Sequence, residues 1–240
     1  TGEFAHYGES IVAWKKHTLQ KIEDRKTQLK YEVFVEDDQM QSKQAILAAK
    51  RLVDLNKVNV LLSYSSPSGS AIAPFANQKK IPHMGVAYNS AAVVGDYNVS
   101  MVPPVEDYLI AFQKLVEKKK YKNIALFYVR NATWQPIYEK MQVLASQGKF
   151  SLTHQQVYVP GERDFRLGIQ QMPLDKVDAV VILAWSPEVN ILVSRFREQG
   201  VQKPLLSLGG CFVMSERNRD YDGTTDIFWG NGGGIGNVGN

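Results

Sequence analysis

Residues 58–70, which read VNVLLSYSSPSGS, contain the change of pattern that decides the fold. The run 58–62 is short and apolar, as in a strand that is buried on both faces of a parallel sheet. The serine-rich stretch after it leads into a helix that we predict at residues 70–78. A strand that passes through a polar loop into a helix is the unit from which parallel α/β folds are built.

The same unit recurs along the chain. The run VDAVVIL at residues 177–183 is the most apolar of the predicted strands. Further strands are predicted at residues 31–35, 82–87, 124–128, 151–157, 205–208 and 225–229, and further helices at 42–55, 105–120, 136–147, 165–172 and 188–199. In the helix at 42–55, Ser42 is the predicted N-cap, and Ala45 and Ala49 lie on the apolar face. The sequence therefore predicts an α/β protein with two doubly wound, mainly parallel sheets.

The alternation of strands and helices is interrupted once. Residues 88–105 have the composition of a loop, and the two prolines at 103–104 cannot continue a helix. We place the crossing between two lobes there, so that residues 1–102 form the first lobe and residues 103–230 the second. The remaining residues, 231–240, are a tail rich in Gly and Asn with little side chain to bury, and we expect a loop.

The composition is that of a soluble globular protein. The 240 residues are 44% hydrophobic and 22% charged, and no apolar run approaches the roughly 20 residues that span a bilayer. The formal net charge is +4, and its densest cluster, 118–122, falls at a predicted helix end. Cations favour that end of the helix dipole, so the cluster does not indicate a nucleic-acid surface. The single cysteine, Cys211, excludes an internal disulfide and is typical of the cytosol or the bacterial periplasm.

Candidate site residues follow the predicted strands. Ligands of parallel sheets lie beyond the carboxyl ends of the strands, and here those positions carry hydroxyls, aromatic rings and few charges. The candidates are Tyr64, Ser66, Ser68, Ala87, Tyr88, Asn89, Trp134, Trp185 and Cys211. The serine-rich stretch adds the amides of a helix N-terminus, which bind carboxylates and other oxyanions. An ordinary capped loop is the alternative for the serines, and a core position is the alternative for each tryptophan.

No pattern in the sequence indicates catalysis, a cofactor or a metal. The four histidines are far apart, and the letters GIGNVG at residues 234–239 lack the strand and the helix that a dinucleotide site requires. Cys211 follows a predicted strand without a neighbouring base in the sequence, so an inert buried thiol is favoured over a nucleophile. We therefore expect ligand binding without chemistry, and an enzyme on a doubly wound fold is the least favoured alternative.

The order and spacing of several segments resemble those of the type I periplasmic solute-binding proteins of ABC transporters, especially the branched-chain amino acid receptors. The stretch 65–70, followed by 73–74 and 81–82, is similar to the ligand loop of that family and to its next strand. The segment 1–8 is similar to the loop after the family's first strand. Further matches to the family pattern lie at residues 36–38, 161–165 and 187–188.

The resemblance implies two lobes that close on a small ligand in the cleft between them, with a hinge near residues 101–104. By position, it assigns Ser66 or Ser68 to the ligand carboxylate. It assigns hydrogen bonds to Ala87 and Asn89. In the first lobe it also makes Tyr7 a wall of the pocket.

In the second lobe the resemblance makes Trp134 and Trp185 the aromatic walls. The amino acid receptors also place an acidic residue after the strand that we predict to end at Leu208, where it pairs with the ligand ammonium. This sequence has GGC at residues 209–211 instead. The resemblance thus implies a small amino acid-like or carboxylate-bearing ligand. Because a buried ammonium without a partner is costly, the alternatives to an α-amino acid are an uncharged ligand, an acidic ligand, or one held by cation–π contacts with the aromatic rings.

The resemblance also implies a place of action and partners. It implies a bacterial protein that acts in the periplasm or at the outer surface, works as a monomer and passes its small-molecule ligand to the membrane permease of an ABC transporter. The family's first strand would lie before Thr1 and its last elements beyond residue 240, so we expect a processed protein or part of a longer one. A ligand-sensing domain of a signalling protein with the same fold is the alternative function.

Overall fold

The computed structural model describes residues 5–24, 30–103, 105–131, 133–208, 224–227 and 235–237. The chain divides into two compact units, Thr1–Val102 and Pro103–Asn240. In these described residues the first unit contains a three-stranded sheet and the second a six-stranded sheet. Helices alternate with strands in both units, so the predicted α/β class with mainly parallel sheets is confirmed.

The first unit is a small parallel sheet with helices between its strands. Its elements are α1 (Ala5–Asp24), α2 (Ser42–Asp54), β1 (Leu61–Ser63), α3 (Ser66–Lys79), β2 (His83–Gly85), a 3-10 helix (Ser90–Val93) and β3 (Asn98–Ser100). Residues 5–8, which the resemblance places in a loop, belong to α1. The strands lie in the order β1-β2-β3 and are parallel. Parallel pairing brings their carboxyl ends to one edge of the sheet.

The core of the first unit lies between α2, α3 and β1. Ala45 and Ala49 of α2 pack with Leu61 of β1 and with Ile72 and Ala76 of α3. The predicted apolar face of α2 is therefore confirmed. Small side chains at the contact allow the helices to approach each other closely.

Residues 31–35 do not form the predicted strand. Tyr31, Val33 and Val35 lie in a segment without regular secondary structure and are exposed by 52%, 37% and 50%. Alternating apolar residues form a strand only where a neighbouring strand supplies hydrogen bonds and another layer covers one face. Within the part of the chain that the structure describes, β1 pairs only with β2, and no strand pairs with this segment.

Two local predictions in the first unit also differ from the structure. Gln41, not Ser42, is the N-cap of α2, and Ser42 Oγ instead donates a hydrogen bond to the carbonyl of Pro67 at 3.2 Å. The predicted loop 88–105 contains the 3-10 helix and β3. β3 has only three residues and buries the polar Asn98, so no apolar run in the sequence marks it.

The second unit is a larger sheet that is parallel except at one edge. Its elements are α4 (Val105–Lys119), β4 (Asn123–Val129), α5 (Gln135–Ser146), β5 (Ser151–Tyr158), α6 (Arg166–Gln170), a 3-10 helix (Leu174–Lys176), β6 (Ala179–Leu183), α7 (Glu188–Glu198), β7 (Leu205–Leu208), β8 (Thr224–Ile227) and β9 (Ile235–Asn237). The strand order is β5-β4-β6-β7-β8-β9; the neighbours from β5 to β8 are parallel, and β9 is antiparallel to β8. β9 lies in the tail that we expect to be a loop.

β4 and β6 form the centre of the second unit. All five residues of β6 are buried, and so are residues 124–129 of β4. Phe127 of β4 contacts Phe196 of α7 edge-to-face, with ring centroids 4.8 Å apart. A strand covered on both faces is apolar throughout rather than alternating. This explains why the run 177–183 is the strongest strand signal in the sequence.

The close approach of α6 to β5 predicts that Gly168→Ala destabilises the protein. A Cβ atom at Gly168 would lie 2.1 Å from the hydroxyl of Tyr158, whose ring packs edge-to-face against Phe165 at 4.8 Å. Because the new methyl group would displace the Tyr158 ring from this packing, we expect overpacking to lower the free energy of unfolding by about 1–3 kcal/mol. Urea unfolding measures the change.

Gly8→Ala is the matched control. Gly8 also lies in a helix, α1, but no atom lies within 4 Å of its Cβ position. Alanine is the better helix former, so this change should raise the free energy of unfolding by about 0.5–1 kcal/mol. Effects of the same sign in both variants would contradict the packing that we describe around Gly168.

Candidate functional site

At the carboxyl end of β1, a serine segment (residues 65–68) turns the chain into α3. The helix begins at Ser66, four residues before the predicted start. Ser65 is the N-cap: its Oγ accepts a hydrogen bond from the amide of Ser68 at 3.1 Å and donates to Ser68 Oγ at 2.6 Å. Proline within the first turn, here Pro67, also favours an early start because it has no amide hydrogen to satisfy. The segment is therefore the first turn of a capped helix.

Both candidate serines in this segment are buried. Ser66 and Ser68 are exposed by 3% and 0%. Ser66 Oγ accepts a hydrogen bond from the amide of Tyr88 at 3.0 Å, which ties the serine segment to the loop after β2. Their direct contact with a ligand stays a prediction, and what the structure shows is that both hydroxyls help to hold the segment in place.

The other candidates of the first unit lie in the neighbouring loops. Ala87 is buried, and Tyr88 and Asn89 are partly buried. Asn89 caps the 3-10 helix, since its Oδ1 accepts from the amide of Ala91 at 2.9 Å. Tyr64, which follows β1 directly, is 37% exposed, and partial burial raises the pKa of its hydroxyl. The structure thus places Tyr64, Ser66, Ser68, Ala87, Tyr88 and Asn89 at one edge of the three-stranded sheet.

A buried hydrogen-bond network lies directly below this edge. Asn98 Nδ2 donates to the carbonyls of Ala73 at 3.0 Å and Val94 at 2.6 Å, so its Oδ1 faces His83 as an acceptor at 2.8 Å. His83 Nδ1 must therefore carry the ring proton, and Nε2 accepts from Ser63 Oγ at 2.9 Å. Burial lowers the pKa of His83, and the bond to Asn98 opposes that effect in part. Sequence reasoning missed this network because its members come from three separate strands.

The order of groups in this network is that of a nucleophile, a base and an orienting amide, but the site cannot receive a substrate. His83 is 0% exposed and Ser63 only 8%. Cβ atoms placed on Gly85 and Gly69 would lie 3.1 Å and 3.3 Å from Ser63 Oγ, so backbone fills the space around the hydroxyl. Acyl transfer needs a reacting carbon near the hydroxyl and donors for the oxyanion. The network therefore serves the structure of the unit.

In the second unit, the two candidate tryptophans are in contact. The ring centroids of Trp134 and Trp185 are 4.6 Å apart, with 35° between the ring planes. Trp134 follows β4 and is fully buried, whereas Trp185 follows β6 and is partly exposed. Asn131 Oδ1 accepts from the amides of Thr133 and Trp134, both at 3.0 Å, and so fixes the turn after β4. The buried ring of Trp134 thus packs against the partly exposed ring of Trp185.

Glu188 is a buried carboxylate at the same edge, and sequence reasoning gave it no role. It is the first residue of α7 and is only 3% exposed. Its Oε1 accepts from the amide of Gly161 at 2.8 Å and lies 3.8 Å from a guanidinium nitrogen of Arg163. The start of a helix also favours a negative charge. Glu188 thus joins the loop after β5 to the loop that carries Trp185.

The remaining two candidates are Tyr7 and Cys211. Cys211 lies outside the described residues, and Tyr7 lies in α1 but its side chain is not described. Among the described residues, no group of three or more His, Cys, Asp or Glu side chains is arranged to hold a metal ion. A search of the same residues finds no helix with the length and hydropathy of a membrane span.

A shallow groove lies at the opposite edge of the second unit's sheet. Its lining includes Asn123 and Ser151, the first residues of β4 and β5, and Gln142 of α5. Ligands of parallel sheets bind at the carboxyl edge, whereas this groove lies at the amino edge. It is therefore not part of the candidate site.

We predict that Glu188→Ala destabilises the second unit more than Glu188→Gln. Alanine leaves the amide of Gly161 without its acceptor and opens a space in a buried position, which should cost about 1–3 kcal/mol. Glutamine keeps an oxygen for Gly161 and loses the attraction to Arg163, which is half exposed, together with the favourable charge at the start of α7. Urea unfolding of both variants tests this, and equal losses would contradict the assigned hydrogen bond.

Comparison with known proteins extends this description. A sequence profile described as "Periplasmic binding protein" matches residues 1–218. Comparison with curated proteins finds no significant match.

Solved structures with the same fold include substrate-binding proteins of transporters. A solute binding protein of an ABC transporter from Rhodopseudomonas palustris BisB5, in complex with 3,4-dihydroxybenzoic acid, is 21% identical with a TM-score of 0.80 over 94% of this chain and 64% of that one. A second R. palustris solute binding protein, in complex with 4-hydroxybenzoate, is 17% identical with a TM-score of 0.65 over 74% and 50%. The branched-chain amino acid binding protein LivJ from Streptococcus pneumoniae, in complex with isoleucine, is 20% identical with a TM-score of 0.70 over 82% and 58%.

Sequence identities this low show that the fold is shared, but they do not show a shared ligand or role. The chain spans 50–64% of the length of these three structures. The profile, in contrast, covers nearly the whole chain. The chain therefore belongs to the type I periplasmic binding protein family.

Proposed function

We propose that this chain is the solute-binding receptor of an ABC transporter and that it binds a small aromatic carboxylate without altering it. The observation that carries this proposal is the contact between Trp134 and Trp185 at the carboxyl ends of β4 and β6. A buried ring that supports a partly exposed one makes a flat, rigid surface for an aromatic or apolar group.

The first unit supplies the complement for a carboxylate. The serine segment is the N-terminus of α3, a helix of 14 residues, and helix N-termini attract anions through their amides and their dipole. In this proposal Ser66 or Ser68 and the nearby amides hold the carboxylate, while Ala87 and Asn89 offer further hydrogen bonds. Hydrogen bonds within the protein already hold these loops in place. This supports the proposal, because a preorganised loop loses little conformational entropy when a ligand binds.

The ligand class follows from two kinds of support. Two of the matched structures hold hydroxybenzoates, which combine a carboxylate with an aromatic ring. LivJ holds isoleucine, whose ammonium needs an acidic partner. This sequence has Gly209 and Gly210 at the positions where the amino acid receptors are expected to carry that acid. In this proposal the carboxylate of an aromatic acid binds the serine segment and its ring contacts Trp185. The ammonium of an amino acid would have no acidic partner at residues 209–210.

The proposal extends to the place and partner of the receptor. We propose that the protein acts outside the cytoplasm of a bacterium, closes its two units on the ligand by a hinge near residues 101–104, and delivers the ligand to a membrane permease. The family and the solute-binding neighbours support this, since each of the named neighbours is described as a component of an ABC or amino acid transport system.

A thermal-shift panel tests the proposed function. The panel contains 4-hydroxybenzoate, 3,4-dihydroxybenzoate, benzamide, isoleucine and acetate. A ligand present at one hundred times its dissociation constant stabilises the folded protein by about 2.7 kcal/mol. We expect a shift with the two aromatic acids, and recovery of the compound unchanged by chromatography. A response to isoleucine alone, or chemical conversion of the bound compound, would contradict the proposal.

Trp185→Ala should weaken binding of whichever aromatic acid gives that shift. Aromatic contacts contribute about 0.5–1.5 kcal/mol beyond the area that they bury, and 1.4 kcal/mol corresponds to about tenfold in affinity. We therefore expect a loss of about tenfold by calorimetry, with a folded protein by circular dichroism. Trp14→Ala is the control, because Trp14 lies in α1 and is 60% exposed. Equal affinity in the two variants would remove Trp185 from the site.

A further inference from the structure

His83 is a fully buried ionisable side chain below the serine segment. Its ring joins Ser63, the last residue of β1, to Asn98, the first residue of β3. These three residues make none of the contacts that we propose for the ligand. Ser63 nevertheless comes directly before the first ligand loop in the sequence, so a change in the network can affect the position of that loop.

Protonation of His83 would force Ser63 to change its role. In the neutral ring, Nε2 accepts the hydroxyl hydrogen of Ser63 at 2.9 Å, and Nδ1 donates to Asn98. A second ring proton would make both nitrogens donors. Ser63 Oγ would then have to accept, and its own hydrogen would need a new acceptor.

Ser63 has little space for such a rearrangement. A Cβ atom on Gly85 would lie 3.1 Å from Ser63 Oγ. One on Gly69 would lie 3.3 Å from the same oxygen and 3.0 Å from Ala87 Cβ. Gly69 directly follows the serine segment, and Ala87 belongs to the loop that is hydrogen-bonded to it. Movement at Ser63 is therefore transmitted to both ligand loops of the first unit.

The described residues around the ring offer no negative charge to stabilise an imidazolium. Among the described residues of β1, β3, α3 and the 3-10 helix Ser90–Val93, the one ionisable side chain is Lys79 in the last turn of α3. Lys79 is a cation, is 45% exposed and lies 3.8 Å from Asp54 of α2. Beside the strands, Tyr64 and Asp96 are exposed. The buried position therefore favours the neutral ring.

The direction of the pH effect follows from this. Because burial lowers the pKa of His83 from its ordinary value of about 6.5, the folded protein takes up the proton at a lower pH than the unfolded chain does. The stability that comes from the neutral ring is complete above about pH 6.5 and is lost as the pH falls toward the lowered pKa. The protonated folded form, with Ser63 displaced, becomes populated only near that lower pH.

We infer that the network of Ser63, His83 and Asn98 positions the serine segment, and that a proton on His83 displaces the segment and weakens ligand binding. His83 is thus a positioning residue that acts through Ser63 and does not touch the ligand. The effect on binding rests on the proposed function, whereas the effect on the segment does not.

The first test needs no ligand. Amide NMR spectra of the whole chain, recorded from about pH 7.5 to about pH 5, follow Ser66, Ser68 and Tyr88 together with the ring signal of His83. We expect these amides to shift with the same midpoint as the ring, below about pH 6.5. Amides that stay still while the ring of His83 titrates would overturn the inference, as would a ring whose midpoint is not below about pH 6.5.

Two variants and a control separate this role from general stability. His83→Gln is neutral at every pH and should abolish the joint shift. Ser63→Ala keeps the ring but removes its link, so His83 should titrate while the amides of the serine segment stay still; this variant decides the matter if His83→Gln does not fold. His154→Gln is the control, because that histidine lies in the second unit, with its Nε2 2.9 Å from the carbonyl oxygen of Gly168. It should leave the joint shift intact.

The second test uses 3,4-dihydroxybenzoate as the probe. Calorimetry on the wild type should show affinity falling about threefold to tenfold from about pH 7.5 to about pH 5, with the same fall in His154→Gln and a fall of less than about twofold in His83→Gln. Equal falls in all three proteins would overturn the effect on binding. No binding at either pH would contradict the proposed ligand class and the effect on binding with it, while the amide titration still decides whether His83 positions the segment.

Discussion

Parallel pairing of the strands is the constraint on which the rest of the structure depends. Where β4 and β6 run in the same direction, each connection must cross the sheet through a helix, and each strand ends at the same edge. That edge brings the loops after β4 and β6 together, and it is why Trp134 and Trp185 are in ring contact although they are far apart in sequence. In the first unit the same rule brings the serine segment beside the loop that carries Tyr88.

The residues at these edges have a second task, because loops that end buried strands need partners for their own polar groups. Asn89 caps a turn, Ser66 accepts an amide of the next loop, and Glu188 accepts the amide of Gly161. Loops held in this way are preorganised, which lowers the entropy lost on binding. Side chains that a sequence marks as ligand contacts can therefore also be the ones that keep the loops in place.

Much of the fold could be predicted because its signals are local and repeated. The apolar runs predicted β4 and β6, and the apolar face of α2 predicted the side that packs in the core. Predictions failed where the structure of a segment depends on residues far away in the sequence. At residues 31–35, for example, none of the described strands pairs with the segment. The burial of Glu188 and His83 could not be predicted either. Their hydrogen-bond partners come from other loops and strands, which are distant in the sequence.

Hydrogen–deuterium exchange tests the central claim, that binding occurs at the carboxyl edges of both sheets, most directly. With saturating 3,4-dihydroxybenzoate, we predict slower exchange at residues 64–69 and 87–89 in the first unit and at 131–135 and 184–190 in the second. The turns at the amino edge of the second unit, 120–122 and 147–150, should be unchanged. Slower exchange at those turns instead, or at the loops of one unit alone, would contradict the account.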